Sequence, residues 1–321
     1  MKKLMRLCMV AMLGLGVMTG CSEGKAKEEI TIAFLPNETD SQASEAAYDM
    51  LKEEVQAALG DGVEVKVTPL DDYNAVAEAI LTGTADIAWE SGATFTSAYM
   101  QNENVVPILS YGPQGDPEKS GYNAYIGTNI KHKADFEGKS EEEKIAQLKG
   151  KSFSFVSSTS TSECVVPTTT FWKLYGPDGT KELTSKDQIT TKTNKEGGFF
   201  SEVQYGGDHQ GSVELIANDK VYAGAYCCTY GDKYKDDLYV ISQSFVPNGP
   251  MWVNKDYMDQ ETIDKLVEHF TNLTSENAIN KNFFNKDGGF FFEAEDDPSN
   301  YKFFKTDVDH YKFIIDMYKD Q

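Results

Sequence analysis

Apolar and polar residues along the chain switch repeatedly between the period of a strand and that of a helix. Residues 29–35 and 63–67 combine β-branched residues with short alternation, which predicts two strands. Between them, apolar residues recur at helical spacing from 41 to 59, and a second helix is predicted at 74–82. A third strand at 85–89 completes a βαβαβ unit, which is typical of a parallel sheet covered by helices on both faces.

A second unit with the same order follows later in the chain. Strands are predicted at 151–156, 201–205 and 221–226, with one helix beginning near Cys164 and another at 212–218. Two units of this kind predict two lobes, each built on its own sheet.

Two extended segments, near 121–127 and 238–246, run between the two units. We therefore predict an α/β fold shaped like a clam shell, with 30–120 and 247–321 in lobe 1 and 121–246 in lobe 2. Such a shape binds a small ligand in the cleft by hinge closure.

Ligands of open parallel sheets bind beyond the carboxyl ends of the strands. In the first unit Tyr73, Glu90 and Ser91 follow predicted strands, so they are candidate ligand-binding residues. Alternatives stay open: Tyr73 could be a core aromatic residue, and Glu90 could point outward. Tyr122, on the first crossing segment, either lines the cleft or packs within the sheet.

The strand at 151–156 runs into six hydroxyl residues, Ser157 to Ser162, and then into a helix. Ser and Thr favour helix N-caps, and the free N–H groups and positive dipole end of a helix bind anions. The run predicts either an oxyanion site or a capped loop that binds nothing.

Beyond residue 253 the pattern predicts helices at 261–273 and 275–281, followed by an aromatic tail. The tail either presents a surface to a partner or, as we expect, seals the first lobe as a hydrophobic wrap. Its rings are Phe283, Phe284, Phe290, Phe291, Phe292, Phe303, Phe304, Tyr311, Phe313 and Tyr318.

The N-terminus has the pattern of a secretion signal. A basic start and an apolar run from Leu7 to Met18 precede Met18-Thr19-Gly20-Cys21, in which small residues precede a cysteine. We expect residues 1–20 to be a lipoprotein signal peptide, Cys21 to carry lipid, and 21–29 to form a tether. An ordinary secreted protein is the alternative.

The charge and the cysteine content of the chain limit which partners, disulfides and metal sites are expected. The formal net charge is −21, which argues against nucleic acid because phosphates need a basic face. Cys164, Cys227 and Cys228 are predicted to be small buried hydrophobic residues, with a disulfide from Cys164 to Cys227 or Cys228 as the alternative. No Cys/His spacing indicates zinc.

Several separated stretches, in one order, resemble the phosphonate/phosphite-binding lipoproteins and periplasmic proteins that serve ABC importers. They span nearly all of the chain after the signal and comprise Asp72-Tyr73, Gly83 to Trp89, Gly121-Tyr122, Leu148 to Lys151, Ser160-Thr161-Ser162 with Pro167, His209, and Ser244 to Pro247 with Pro250. The resemblance implies a type II periplasmic-binding fold. It also implies that Ser160, Thr161, Ser162, His209 and Tyr73 meet the phosphorus group.

The chain departs from the family pattern in four places. Glu163 stands where glycine is common, Asp208 precedes His209, Glu90 follows the third strand, and Pro247 to Pro250 lacks the acid that meets a ligand ammonium. These departures argue against an aminoalkylphosphonate, unless Glu90 replaces the missing acid. Glu90 could instead accept a proton from a protonated oxyanion.

The sequence thus predicts a membrane-anchored, extracytoplasmic solute-binding protein for a phosphonate or phosphite. The expected partners are that anion, an ABC permease with its ATPase, and the membrane through lipid on Cys21; we expect a monomer without cofactor or metal. An enzyme is disfavoured, because Asp208 is adjacent to His209 and can hardly orient its ring. Two alternatives stay open. The same scaffold could bind phosphate, another oxyanion or an organic ligand, or the chain could be a surface lipoprotein outside transport.

Overall fold

The structure of the protein, a computed structural model, describes residues 27–35, 41–292, 294 and 297–319. The predicted signal peptide (1–20) and lipidation site Cys21 lie outside the described residues. Within them, no helix has the length and hydropathy needed to traverse a bilayer.

A six-stranded sheet forms the first lobe, in the order β11-β4-β10-β3-β1-β2. β1 pairs in parallel with both β2 and β3, as the first βαβαβ pattern predicts, whereas β4, β10 and β11 are antiparallel additions. The strands are β1 (Glu29–Phe34), β2 (Glu64–Pro69), β3 (Ile87–Trp89), β4 (Val105–Pro113), β10 (Met251–Asn254) and β11 (Tyr301–Lys305).

A five-stranded sheet forms the second lobe, in the order β7-β6-β8-β5-β9. Its centre repeats the first arrangement, because β6 pairs in parallel with both β7 and β8. The strands are β5 (Tyr122–Asn129), β6 (Ser152–Phe155), β7 (Glu202–Tyr205), β8 (Ala223–Cys227) and β9 (Leu238–Val246). The prediction of an α/β fold with two lobes is confirmed.

Helices cover both sheets, and their buried faces supply the core. Val55 of α1 and Leu266 of α9 are fully buried against one face of the first sheet, and Ile80 of α2 lies under the other. The helices are α1 (Ser41–Leu59), α2 (Tyr73–Thr82), α3 (Gly92–Gln101), α4 (Glu141–Ala146), α5 (Val166–Tyr175), α6 (Asp187–Thr190), α7 (His209–Ala217), α8 (Cys228–Asp232), α9 (Gln260–Thr271) and α10 (Lys312–Lys319).

The aromatic tail packs into the first lobe. Phe283, Phe284, Phe291 and Phe303 are almost fully buried and share the core cluster on the α9 face of the sheet. The tail thus contributes β11 and much of the core, as the hydrophobic wrap predicts. The final helix, α10, packs against both α3 and α5, so it contacts elements of both lobes.

Two helix predictions were wrong in detail. Residues 275–281 form turns instead of a helix, because the Asn277 carboxamide accepts from the Thr274 N–H and donates to the Asn272 carbonyl, replacing helical backbone bonds. The helix predicted at 212–218 begins earlier, at His209, because Asp208 caps it by accepting from the Gly211 N–H at 2.5 Å.

Candidate ligand-binding cleft

A cavity of about 400 Å³ lies where the carboxyl ends of both sets of parallel strands meet. Residues just after β1, β2 and β3 line one side, and residues just after β6, β7 and β8 line the other. Of the predicted site residues, the cavity is lined by Tyr73, Glu90, Ser91, Tyr122 and His209.

Helix N-termini of both lobes point towards this cleft. In the first lobe α2 begins after its cap Asp72, and α3 begins after its cap Ser91. In the second lobe α7 begins after Asp208, and a π-helical turn capped by Ser160 leads into α5. The positive ends of these dipoles make the cleft favourable for an anion, although the lobes carry many acids.

The predicted hydroxyl triplet lies between two of these N-termini. Thr161 Oγ1 accepts a hydrogen bond from the Ala93 N–H of α3 at 2.9 Å. Ser160 Oγ accepts from the Glu163 N–H at 3.3 Å, and the Tyr122 hydroxyl donates to Ser162 Oγ at 3.4 Å. All three triplet residues are about 1% exposed, so they lie at the lobe interface behind the cavity wall.

A second contact between the lobes joins Tyr73 to His209. The Tyr73 hydroxyl lies 3.1 Å from His209 Nε2, and the other ring nitrogen, Nδ1, lies 2.5 Å from Glu163 Oε1. Cys227 Sγ is 3.6 Å from the same Nδ1, and Tyr230 stacks on the ring with centroids 5.2 Å apart. Carboxylate, sulfur, imidazole and phenol therefore form one connected cluster at the floor of the cleft.

The Glu163–His209 pair shares one proton. Burial raises the pKa of the Glu163 carboxyl, since no part of that residue is exposed. Burial alone would lower the pKa of His209, but the Glu163 carboxylate and then Cys227 outweigh it, so this pKa lies well above its ordinary value. Because Nδ1 and Oε1 lie only 2.5 Å apart, a proton lies between them. The two side chains then form a carboxylate and an imidazolium ring, and the pair as a whole is neutral.

Glu163, His209 and Cys227 also offer the ligand types of a transition-metal site, with their ligand atoms within 4.8 Å of one another. The Nδ1 to Sγ distance suits a tetrahedral ion, but carboxylate and imidazole ligands of such an ion lie roughly 3.3 Å apart. The observed 2.5 Å leaves room only for the proton. We therefore describe the cluster as a hydrogen-bonded one.

Comparison with known proteins agrees with this geometry. Residues 32–295 match the family described as "ABC transporter, phosphonate, periplasmic substrate-binding protein". The chain belongs to this family. A curated relative, the phosphate-import protein PhnD of Mycolicibacterium smegmatis, is 26% identical over 256 residues, which are 76% of this chain and 71% of the relative.

Solved structures of this phosphonate-binding family share the fold. PhnD1 of Prochlorococcus marinus, in complex with methylphosphonate, has a TM-score of 0.66 at 17% identity and covers 91% of this chain and 98% of its own. A binding protein of a Pseudomonas aeruginosa phosphonate transporter has a TM-score of 0.63 at 18% identity, covering 92% and 87%. The predicted type II periplasmic-binding fold is confirmed, and the family is extracytoplasmic.

Within this family fold, several contributors to the cleft were not singled out from the sequence. Ser157, the first residue of the hydroxyl run, lines the cavity, and its buried Oγ has no hydrogen-bond partner among the described residues. From the sequence, Glu163 stands out only as a departure from the family pattern. A single acid at the start of an apolar helix nevertheless indicates a buried partner. Cys164 is a buried free thiol, so it forms no disulfide; the Cys228 side chain lies outside the described residues.

The contacts of His209 differ from those of a hydrolase triad. Asp208, its neighbour, caps α7 and does not orient the ring. Glu163 occupies the position of the orienting acid, but the group at Nε2 is the phenol of Tyr73. A phenol is a hydrogen-bond donor to an anion, which suits the transport role of the family.

Proposed function

We propose that the protein captures a small phosphorus oxyanion, a phosphonate or phosphite, between the facing helix N-termini of its two lobes. The carrying observation is the 2.9 Å bond from the Ala93 N–H of α3 to Thr161 Oγ1, at the place where the N-terminus of α3 meets the turn capped by Ser160. An anion inserted here would be bonded by both lobes at once.

Binding replaces contacts between the lobes by contacts to the ligand. The oxyanion accepts from the Ala93 N–H and from the hydroxyl groups of Ser160, Thr161 and Ser162. The unpartnered hydroxyl of Ser157 is a further donor on the cavity side. Because only the closed form lets both lobes bond one ligand, the ligand stabilises closure.

Tyr73 and His209 supply the remaining donors in this proposal. The proton held between Glu163 and His209 keeps the imidazole ring protonated beside the oxyanion, while the Glu163 carboxylate leaves the pair neutral overall. A hydrogen bond from a charged donor contributes roughly 1.5–3 kcal/mol, compared with about 1 kcal/mol for a neutral one.

The delivery system follows from the family and the N-terminal sequence. We propose that the protein is a monomer, that lipid on Cys21 anchors it to the membrane, and that an ABC permease with its ATPase receives the ligand. We also propose that 30–120 with 247–321 and 121–246 move as the two lobes about the segments that cross between them.

Calorimetric titration of the purified protein with methylphosphonate, phosphite, phosphate and sulfate tests the proposal. Thr161→Val should lower the affinity for the phosphorus anion by about tenfold or more, because it removes a buried hydroxyl from the site. Thr169→Val is the matched control, since Thr169 is equally buried and its Oγ1 donates to the Val165 carbonyl at the start of its own helix. Equal affinities in both variants, or a flat panel, would refute the proposal.

Inorganic phosphate is the second candidate, because the curated relative is a phosphate-import protein. Phosphate at neutral pH carries a hydroxyl group that needs an acceptor, whereas a fully ionised phosphonate does not. Glu90, which lines the cleft, is one acceptor that could take this hydrogen bond. If the wild type prefers phosphate to a phosphonate and Glu90→Gln abolishes this preference, phosphate becomes the favoured ligand.

A further inference from the structure

The final helix, α10, contacts both lobes, and none of its described residues lines the cavity. By chain order it belongs to lobe 1, yet it packs against the π-helical turn and α5 of lobe 2 as well as against α3 of lobe 1. Ile314 and Ile315 are almost fully buried and share one core cluster with Val165 and Val166 of lobe 2. A helix packed on both lobes has to lose one of these contacts when the lobes separate.

The contact of α10 with lobe 1 lies at the start of α3, where the proposed anion donor is. Ile314 packs so closely on Gly92 that a Cβ added to this glycine would lie 2.6 Å from Ile314 Cδ1. The Tyr318 hydroxyl donates to the Ala93 carbonyl at 3.4 Å, and the Ala93 N–H is the group that bonds Thr161. The helix α10 therefore holds the backbone at the N-terminus of α3 in place.

The contact of α10 with lobe 2 includes a charged hydrogen bond. Lys186, which precedes α6, donates from Nζ to the Met317 carbonyl in the last turn of α10 at 2.6 Å. Carbonyl groups in the last turn of a helix lack partners within the helix, and the negative end of the helix dipole favours a cation there. This bond therefore joins α10 to lobe 2 at a place suited to a lysine.

These contacts give α10 and Lys186 a role in closure. We propose that α10 is a latch between the lobes, and that Lys186 is a positioning residue that fastens this latch to lobe 2 in the closed form. The latch connects the backbone that donates to the oxyanion with the lobe that carries the hydroxyl triplet, without touching the ligand. This inference rests on the proposed function, because the latch assists closure around that oxyanion. The apparent affinity then depends on the fraction of closed protein.

Calorimetric titration with methylphosphonate, phosphite and phosphate, together with small-angle X-ray scattering of the ligand-free protein, tests the latch. Lys186→Met removes the charged donor, so it should shift the equilibrium between closed and open forms by about tenfold. If the free protein is mostly open, every affinity falls by one common factor of up to about tenfold. If the free protein is mostly closed, its radius of gyration increases instead.

Two further variants separate the latch from a general effect of losing a lysine. Lys186→Arg retains a charged donor and should keep both readouts close to those of the wild type. Lys281→Met is the matched control, since Lys281 Nζ donates to the Ala278 carbonyl at 3.0 Å within lobe 1. This control should change neither the affinities nor the radius of gyration.

The outcomes distinguish this inference from the proposed function. A Lys186→Met variant that equals Lys281→Met in both readouts would overturn the latch and leave the oxyanion site standing. A loss of affinity confined to one ligand would also overturn the latch, because it would indicate a direct contact. If no oxyanion binds the wild type, the proposed function fails. A larger radius of gyration in Lys186→Met would then still support the latch, and an unchanged radius would overturn it as well.

Discussion

The proton shared by Glu163 and His209 gives the most specific prediction about stability. Glu163→Gln keeps the size of the side chain and its ability to accept from His209 Nδ1, but it removes the charge that raises the pKa of the histidine. Burial then dominates and lowers that pKa, so His209 becomes neutral in the folded variant at neutral pH.

The sign and size of the effect follow from proton counting. In the unfolded chain histidine loses its proton near pH 6.5, whereas the folded pair holds it to a much higher pH. This contribution to the free energy of unfolding is therefore fully present below about pH 6.5. It is lost as pH rises through the raised pKa of the folded pair, at about 1.4 kcal/mol per pH unit for one proton.

Denaturant unfolding of the ligand-free protein at about pH 7.5 and 8.5 measures this slope. The wild type should lose about 1.4 kcal/mol more than Glu163→Gln over this interval, and the exposed control Glu268→Gln should behave as the wild type. A slope in Glu163→Gln equal to that of the wild type would refute the shared proton. The same variant should bind the oxyanion roughly 2- to 30-fold more weakly, which corresponds to the difference of about 0.5–2 kcal/mol between a charged and a neutral donor.

Three further predictions concern the core and its buried polar groups. Burial raises the pKa of the Cys164 thiol to about 12, so the native protein should resist alkylation of Cys164 at pH 8, and unfolding should restore it; rapid labelling of the native protein would contradict its burial. Phe283→Ala should cost about 3–5 kcal/mol in chemical unfolding, because the ring is fully buried in the first lobe; a cost below 1 kcal/mol would exclude the tail from the core. Glu54 bonds the His269 ring at 2.8 Å and the Ile279 N–H at 2.7 Å, so Glu54→Ala should lower the unfolding free energy by about 3–5 kcal/mol, and an unchanged value would mean that these bonds contribute nothing.

The sequence was sufficient for the elements with clear periodicity. The parallel trios β1–β3 and β6–β8 were predictable because alternating or β-branched runs are separated by helices with one apolar face. The helix α3 was not predicted, because Gly92 to Ser97 is rich in residues with weak helix propensity and the helix depends on its Ser91 cap and on burial.

The site was predictable only in part. Residues at strand ends and helix caps, such as Tyr73 and His209, follow from local pattern and from the family resemblance. The contact between Glu163 and His209 joins residues 46 positions apart, and the ring of Phe290, from the tail, packs beside Trp89 of β3. Such pairings depend on how the lobes and tail pack, which no local pattern contains.

The position of phosphorus in a crystal structure of the methylphosphonate complex tests the central claim most directly. The proposal predicts phosphorus density between the N-terminus of α3 and the Ser160 turn, with ligand oxygens at hydrogen-bond distance from the Ala93 N–H and Thr161 Oγ1, and with the direct bond between those two groups broken. Phosphorus bound elsewhere, with the Ala93 to Thr161 bond intact, would contradict the account.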